Sequence, residues 1–310
     1  MDFIKAKPIW LEGLENGDNV MAGFRTKAAA EGKAELKIAS PCLFRVFVNG
    51  RLVGSNTKNA DGRHIFLLEI MLSSEENIIA IDLISGDAKP HYLCAELSLD
   101  GEILCASGYD FNGVRLYAQD RGVDFWKLSK EEKHWKDDET MFDSTQLVDT
   151  DTVFDDGLVK LAAFESYSKG KYIESGMLES ALADEKSDYD ASKYIREYLE
   201  AHKIKIENLS VADEIIVREG GYVLIELDNI SCGHILTELV ANKDSRFNIA
   251  VGISAEKALN PDNENDVTAF ELNESINTYE LTSFNVYNIK YAVIAVTSGE
   301  LVIKEFAVLS

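Results

Sequence analysis

Proline is scarce in this chain, at 4 of 310 residues, and no Ser/Gly/Pro-rich stretch interrupts it. A long flexible tether between domains is therefore not expected. Cysteine is equally sparse: Cys42, Cys94, Cys105 and Cys232 are the only four. None forms a C-x-x-C pair, which argues against a zinc ribbon or a dithiol redox centre. The apolar context of these residues predicts free, buried thiols, with a Cys94–Cys105 bridge across a hairpin as the alternative. Basic residues are outnumbered, 31 against 54 acidic, for a formal charge of −23. A surface so negative repels phosphate backbones and anionic membranes, so neither nucleic acid nor membrane is an expected partner.

Long apolar runs are also missing. No stretch approaches the roughly 18 residues that a membrane-spanning helix needs. The start, Met-Asp-Phe-Ile-Lys-Ala-Lys-Pro, lacks the apolar region of a secretory signal, and the expected setting is cytoplasmic. The chain has no G-x-S-x-G elbow, no P-loop and no dinucleotide fingerprint. No cofactor is expected. The five histidines, His64, His91, His134, His202 and His234, share no ligand spacing, and no metal is expected either. The acidic run from Asp149 to Gly157 places Val153 and Phe154 where a calcium loop needs an oxygen donor and a glycine, so it reads as a solvated turn.

What the chain does have is hydrophobic residues at 46%, arranged with a period of two. Residues 34–38 alternate as Ala-Glu-Leu-Lys-Ile. Residues 44–48, Phe-Arg-Val-Phe-Val, run into Asn49-Gly50, the dipeptide a type I′ hairpin turn favours because both central positions take positive φ. Further strands are expected at 51–54, 64–70 and 78–84. Residues 92–99 and 102–106 pair around Asp100-Gly101. From residue 214 onward the same character returns, at 214–218, 222–227, 235–241, 247–253, 278–281, 292–297 and 301–308. The middle is more polar and has a helix-compatible stretch at 177–202. The reading is an all-β protein: two jelly-roll-like β-sandwich domains, residues 1–108 and 109–310, the latter beginning with a short helical connecting segment.

Several of these segments, in this order, resemble the region ahead of the catalytic domain in bacterial α-L-rhamnosidase-like glycoside hydrolases. Phe24-Arg25-Thr26 resembles their opening strand. Phe44 to Gly50 resembles their "Y-R-V-Y-V-N-G". Leu72 with Glu76-Asn77-Ile78-Ile79-Ala80-Ile81 resembles "L-x-x-G-x-N-x-I-A-V", with Glu75 or Glu76 in place of the glycine. Leu224 to Asp228, followed by Gly233-His234-Ile235, resembles a "D-F/L-G-x-x-x-x-G" strand pair. Either Glu226 or Asp228 takes the acidic place, and the first glycine is absent. Glu256-Lys257-Ala258-Leu259 resembles an "E-x-L" segment, and Phe284 to Tyr291 resembles "F-x-x-x-x-F-R-Y" with Lys290-Tyr291 at its end.

In that family an α/α-toroid carrying the catalytic carboxylates follows these sandwiches. The resemblance therefore implies a non-catalytic region that supports a downstream catalytic domain in the same protein. Its implied glycan is rhamnosyl-containing, or another plant or bacterial oligosaccharide. No catalytic residue is expected here. Adjacent carboxylates such as Asp137-Asp138 point to opposite faces of a strand and make a poor acid/base pair. Trp126, Trp135 and Tyr117, in the polar middle, are the rings that would stack on a sugar. Their alternative role is packing at a domain junction. A stand-alone carbohydrate-binding module and a structural or oligomerisation domain are the competing readings of the whole chain.

Overall fold

A computed structural model describes residues 3–17, 20–56, 62–86, 88–121, 125–128, 142–155, 157–164, 166–177, 203–204, 214–259, 261, 266–283 and 285–310. The first strands are β1 (Ile9–Leu11), β2 (Val20–Ala39), β3 (Leu43–Val48), β4 (Arg51–Ser55), β5 (Ile65–Ile84), β6 (Cys94–Leu99) and β7 (Glu102–Ala106). There follow β8 (Asn112–Arg121), β9 (Phe125–Leu128), β10 (Thr145–Leu147), β11 (Leu158–Lys160), β12 (Tyr167–Met177), β13 (Lys203–Ile204) and β14 (Ile215–Arg218). The last elements are β15 (Gly221–Ala241), β16 (Ser245–Gly252), the short helix α1 (Ala255–Leu259), β17 (Val267–Leu272), β18 (Tyr279–Thr282), β19 (Tyr287–Ser298) and β20 (Glu300–Leu309). The described chain is thus nearly all β. The expected helical connection falls at 178–202, outside the described residues. Two compact units are formed, residues 1–117 with 134–164, and residues 118–133 with 165–310.

In the first unit the backbone of the fold is a ribbon of β2 and β5, antiparallel from Met21–Ile84 to Ile38–Phe66. The two halves of the ribbon recruit different neighbours. β3 pairs with the second half of β5, and β6 with the second half of β2. Their inward side chains meet in one core, which joins Phe24, Phe44 and Val46 to Leu36, Ile38, Leu68 and Leu97. This is a two-layer solution to burying one apolar face of each sheet.

The sequence suggests separate strands at 64–70 and 78–84, with a turn between. Instead β5 runs on and carries one extra residue itself: the pair Ala28–Asn77 is followed by Ala30–Ser74, so two residues of β5 oppose one of β2. Asn77, fully buried, makes this continuous ribbon workable. Its amide nitrogen donates to the carbonyls of Ala30 (2.8 Å) and Ala28 (3.3 Å), and its Oδ1 accepts from the Ser73 amide at 3.0 Å. Those backbone groups lose ladder partners at the bulge, and burial without partners would be costly.

The second unit has one sheet ordered β12–β15–β19–β16–β17–β9, with β13 beside β12. The other is centred on β20, which pairs with β15 on one side and with β12 and β14 on the other; β18 lies beyond β15. β15 serves both sheets. Residues 222–226 pair with β19 in the first, and residues 234–241 pair with β20 in the second. α1 covers the outer face of the first sheet, where Ala258 and Leu259 pack with Tyr222, Leu224, Ala250 and Val293. Its start is capped by the Ser254 hydroxyl, which accepts from the Lys257 amide at 3.2 Å.

Candidate functional site

Within each unit, segments that resemble the rhamnosidase-like family meet one another, and what they do there is hold strands. In the first unit Asn49 (φ 51°) and Gly50 (φ 77°) form the expected turn. Asn49 Oδ1 accepts from the Ile78 amide at 2.8 Å, and its Nδ2 donates to Asn77 Oδ1 at 3.2 Å. The two asparagines of separate motifs are thus directly joined. Further along the same two strands, Arg45 on β3 stands opposite Asp82 on β5. Its Nη2 donates to Asp82 Oδ2 at 2.7 Å, with both side chains withdrawn from solvent.

In the second unit Glu226 stands directly across the ladder from Tyr291. The Tyr291 hydroxyl donates to Glu226 Oε1 at 2.9 Å, and Lys290 Nζ lies 3.2 Å from the same oxygen. These donors hold the Glu226 carboxyl below its usual range, the tyrosine first and the lysine after it. The same bond, with burial, pushes the Tyr291 phenol up. Residues 227–230 of β15 face only Lys290 across the ladder, because register resumes at Ser231–Ile289. Lys290 fills that gap by donating to the carbonyls of Leu227 (2.5 Å) and Asp228 (2.9 Å). Asp228 itself pairs with Lys171 of β12, which lowers its carboxyl. Where β15 changes sheets, Gly233 lets it pass β20: a Cβ there would sit 1.9 Å from the Leu309 carbonyl oxygen.

On the same outer face the Tyr222 hydroxyl donates to Glu174 Oε1 at 2.8 Å. Burial, then this carboxylate, pushes the phenol up. The face therefore presents tyrosines, carboxylates and lysines together, groups that can hydrogen-bond sugar hydroxyls. Here they already satisfy one another.

Among the described residues the buried carboxylates are Asp82 and Glu96. Glu96 Oε2 accepts from the amides of Ile4 (3.0 Å), Lys5 (2.7 Å) and Ala6 (3.2 Å), fastening the N-terminal segment to β6. Sequence alone does not reveal these two residues, because nothing distinguishes them from the surface carboxylates around them. No group of three or more His, Cys, Asp or Glu side chains suited to a metal ion occurs among the described residues. In the acidic run, Asp155 Oδ2 lies 2.9 Å from His64 Nδ1, while Asp156 lies outside the described residues.

The three rings expected to meet sugar are placed as follows. Tyr117 lies on β8, and Trp126 lies on β9 in register with Phe270 of β17. Phe270 in turn stacks on Phe247 at 5.2 Å. Trp135 lies outside the described residues. Trp10, a fourth aromatic, is completely buried in the first unit, between Phe24 and His91. The cysteines are all free. Cys42, Cys94 and Cys105 are buried, but Cys232 is exposed because it points outward where β15 leaves the first sheet.

No known family matches the chain by sequence pattern, and no curated protein matches it by sequence. Solved structures do match. The GH78-family rhamnosidase of Bacillus sp. GL1 aligns with a TM-score of 0.69 at 11% identity, over 100% of this chain and 55% of that one. The fold is that of part of a GH78 rhamnosidase. The α-L-rhamnosidase of Aspergillus terreus aligns with a TM-score of 0.50, also at 11% identity, over 98% of this chain and 36% of that one. The chain therefore spans about half the length of the Bacillus rhamnosidase and about a third of the Aspergillus rhamnosidase. Among the described residues no helix is long and apolar enough to cross a membrane.

Proposed function

We propose that this chain is a non-catalytic β-sandwich region of an α-L-rhamnosidase-type glycoside hydrolase. It braces a catalytic domain of the same protein and contacts glycan, and it works in the cytoplasm. The observation that carries the reading is the alignment of the entire chain, at a TM-score of 0.69, with 55% of a GH78 rhamnosidase. The motif residues support a scaffold role, since Arg45, Asn49, Asn77, Glu226, Lys290 and Gly233 all secure strands. In this reading residues 1–108 form an accessory sandwich, and residues 109–310 a connecting segment with a second one. Tyr117, Trp126 and Trp135 are the rings that stack on the glycan. That glycan is rhamnosyl-containing or another plant or bacterial oligosaccharide.

The test is a rhamnosidase assay on a chromogenic aryl α-L-rhamnoside, with the chain alone and with the chain joined to an α/α-toroid catalytic domain of this family. The reading predicts release of the aryl group only from the joined protein. Turnover by residues 1–310 alone would overturn it.

A further inference from the structure

A surface of the first unit, built from the N-terminal segment and the turn after β7, has the make-up of a ligand site. We infer that Tyr109, Lys5, Lys7 and Asp110 bind a sugar that carries a carboxylate, such as a uronic acid residue of an oligosaccharide. The inference stands independently of the glycoside hydrolase assignment.

Tyr109 is 55% exposed, a large ring left open to solvent. Two ammonium groups lie beside it, Lys5 Nζ at 4.9 Å and Lys7 Nζ at 5.2 Å from the ring centroid. Placing two like charges around one ring is unfavourable unless something negative offsets them. The nearby carboxylate is Asp110, whose Oδ2 is 3.7 Å from Lys5 Nζ, beyond hydrogen-bond length. No carboxylate lies within ion-pair distance of Lys7 among the described residues. Lys7 thus places an ammonium group without an ion-pair partner beside an exposed aromatic face, on a chain whose net charge is −23.

The backbone under these groups is held firmly. Glu96 takes the Ile4, Lys5 and Ala6 amides, and the Lys7 amide donates to the Ser107 carbonyl at 2.9 Å. The Ser107 hydroxyl donates to the Lys7 carbonyl at 2.6 Å. Across the turn, Asp110 Oδ2 accepts from the Ala106 amide at 2.9 Å, and the Tyr109 and Asp110 amides donate to the Ala106 carbonyl. Gly108, at φ +85°, brings this turn against Lys7; a Cβ there would lie 3.1 Å from Lys7 Cβ. The two pieces of chain are thus fixed relative to each other, while the lysine ends and the ring stay accessible. A rigid backbone platform lowers the ordering cost of binding, leaving only the exposed lysine side chains to be ordered.

The chemistry selects the ligand. A pyranose lays its apolar C–H face on the phenol ring. Its carboxylate draws the two ammonium groups away from the ring into charge-assisted hydrogen bonds. Asp110 accepts from a ring hydroxyl. A neutral sugar would leave both lysines unused, and a simple anion would leave the ring unused. The distant acidic residues do not forbid binding, because charges beyond about 8 Å are screened at physiological salt.

The experiment titrates the whole chain with a saturated trigalacturonate, and separately with neutral maltotriose and with free acetate, followed by calorimetry and by Tyr109 proton shifts. Trigalacturonate is expected to bind at millimolar concentration, and the two controls not to. Tyr109→Ala and Lys7→Gln should each weaken binding roughly tenfold, the weight of one stacked ring or one charge-assisted bond. Tyr109→Phe should retain it, since only the ring face is used. Raising salt from about 0.05 M to about 0.5 M should weaken it several-fold. The substituted side chains are exposed, and an unchanged melting temperature confirms that each variant is folded. Absence of trigalacturonate binding, equal binding of maltotriose, or undiminished binding by both weakened variants would overturn the inference.

Discussion

Replacing Arg45 with methionine tests how the first unit is held together. Arg45 and Asp82 face each other across β3 and β5, 2.7 Å apart, with side-chain exposures of 1% and 0%. Removing the guanidinium takes the 2.7 Å ion pair away from the buried Asp82 carboxylate. Breaking a buried pair from one side costs about 3–5 kcal/mol, because the remaining charge loses its compensation. The arginine also lies 5.6 Å from the Phe47 ring, a contact that methionine can partly replace. At about 2–4 °C per kcal/mol for a domain of this size, Arg45→Met should lower the melting temperature by roughly 6–20 °C. The double variant Arg45→Met/Asp82→Leu removes both charges and should recover most of that loss, to within ~1 kcal/mol of the parent. Lys27→Met is the control. Lys27 and Glu76 are also close, at 2.9 Å, but 47% and 65% exposed, and this change should cost under ~1 kcal/mol. Guanidinium unfolding followed by circular dichroism measures all three. A cost for Arg45→Met no greater than that for Lys27→Met, or a double variant as unstable as the single one, would refute a stabilising role for the buried pair.

Gly233→Ala forces a Cβ to within 1.9 Å of the Leu309 carbonyl, and neither backbone yields easily, so a loss of about 3 kcal/mol or more is expected in the same unfolding assay. Lys290→Met strips the Leu227 and Asp228 carbonyls of their donor and should speed exchange of the amides in residues 226–231, with a stability loss of about 1–3 kcal/mol. Burial pushes the Cys42 and Cys94 thiols up to about 12, whereas unfolded thiols ionise near about 8.5. The unfolded state therefore sheds protons that the native state keeps. Stability is unaffected below about pH 8 and falls as pH rises from there toward about 12, by up to ~1.4 kcal/mol per pH unit per thiol. Cys42→Ala should flatten the decline between pH 9 and 11, and an unchanged slope would count against it. Native protein should react with a thiol reagent at Cys232 first, and at all four cysteines only after unfolding.

Turn chemistry was the most legible part of this fold. Asn49-Gly50 and Asp100-Gly101 announce their hairpins because few other dipeptides tolerate positive φ at both positions, and both pairs adopt it. Alternation likewise locates β3, β6, β16 and β20. Where the sequence misleads, a tertiary contact decides. Ser73 to Glu76 are polar enough to suggest a turn, yet β5 continues through them because Asn77 satisfies the backbone at the bulge. The charges of Arg45, Asp82 and Glu96 read as solvent-facing in a strand, and only their partners far along the chain explain their burial. The family-like motifs were visible as strings, but their roles were not. Glu226 and Tyr291 lie 65 residues apart, and their meeting depends on sheet register. The Lys5, Lys7 and Tyr109 surface was not legible at all, since its parts come from the N-terminus and from a turn beyond β7.

We propose that this sandwich region scaffolds a hydrolase without performing the chemistry. The measurement that tests it most directly is aryl α-L-rhamnoside hydrolysis by residues 1–310 beside the same residues joined to an α/α-toroid catalytic domain. The prediction is no release above the uncatalysed rate from the first and turnover from the second. Turnover by the first alone, or a joined protein whose activity is unaffected by deleting the sandwiches, would contradict it.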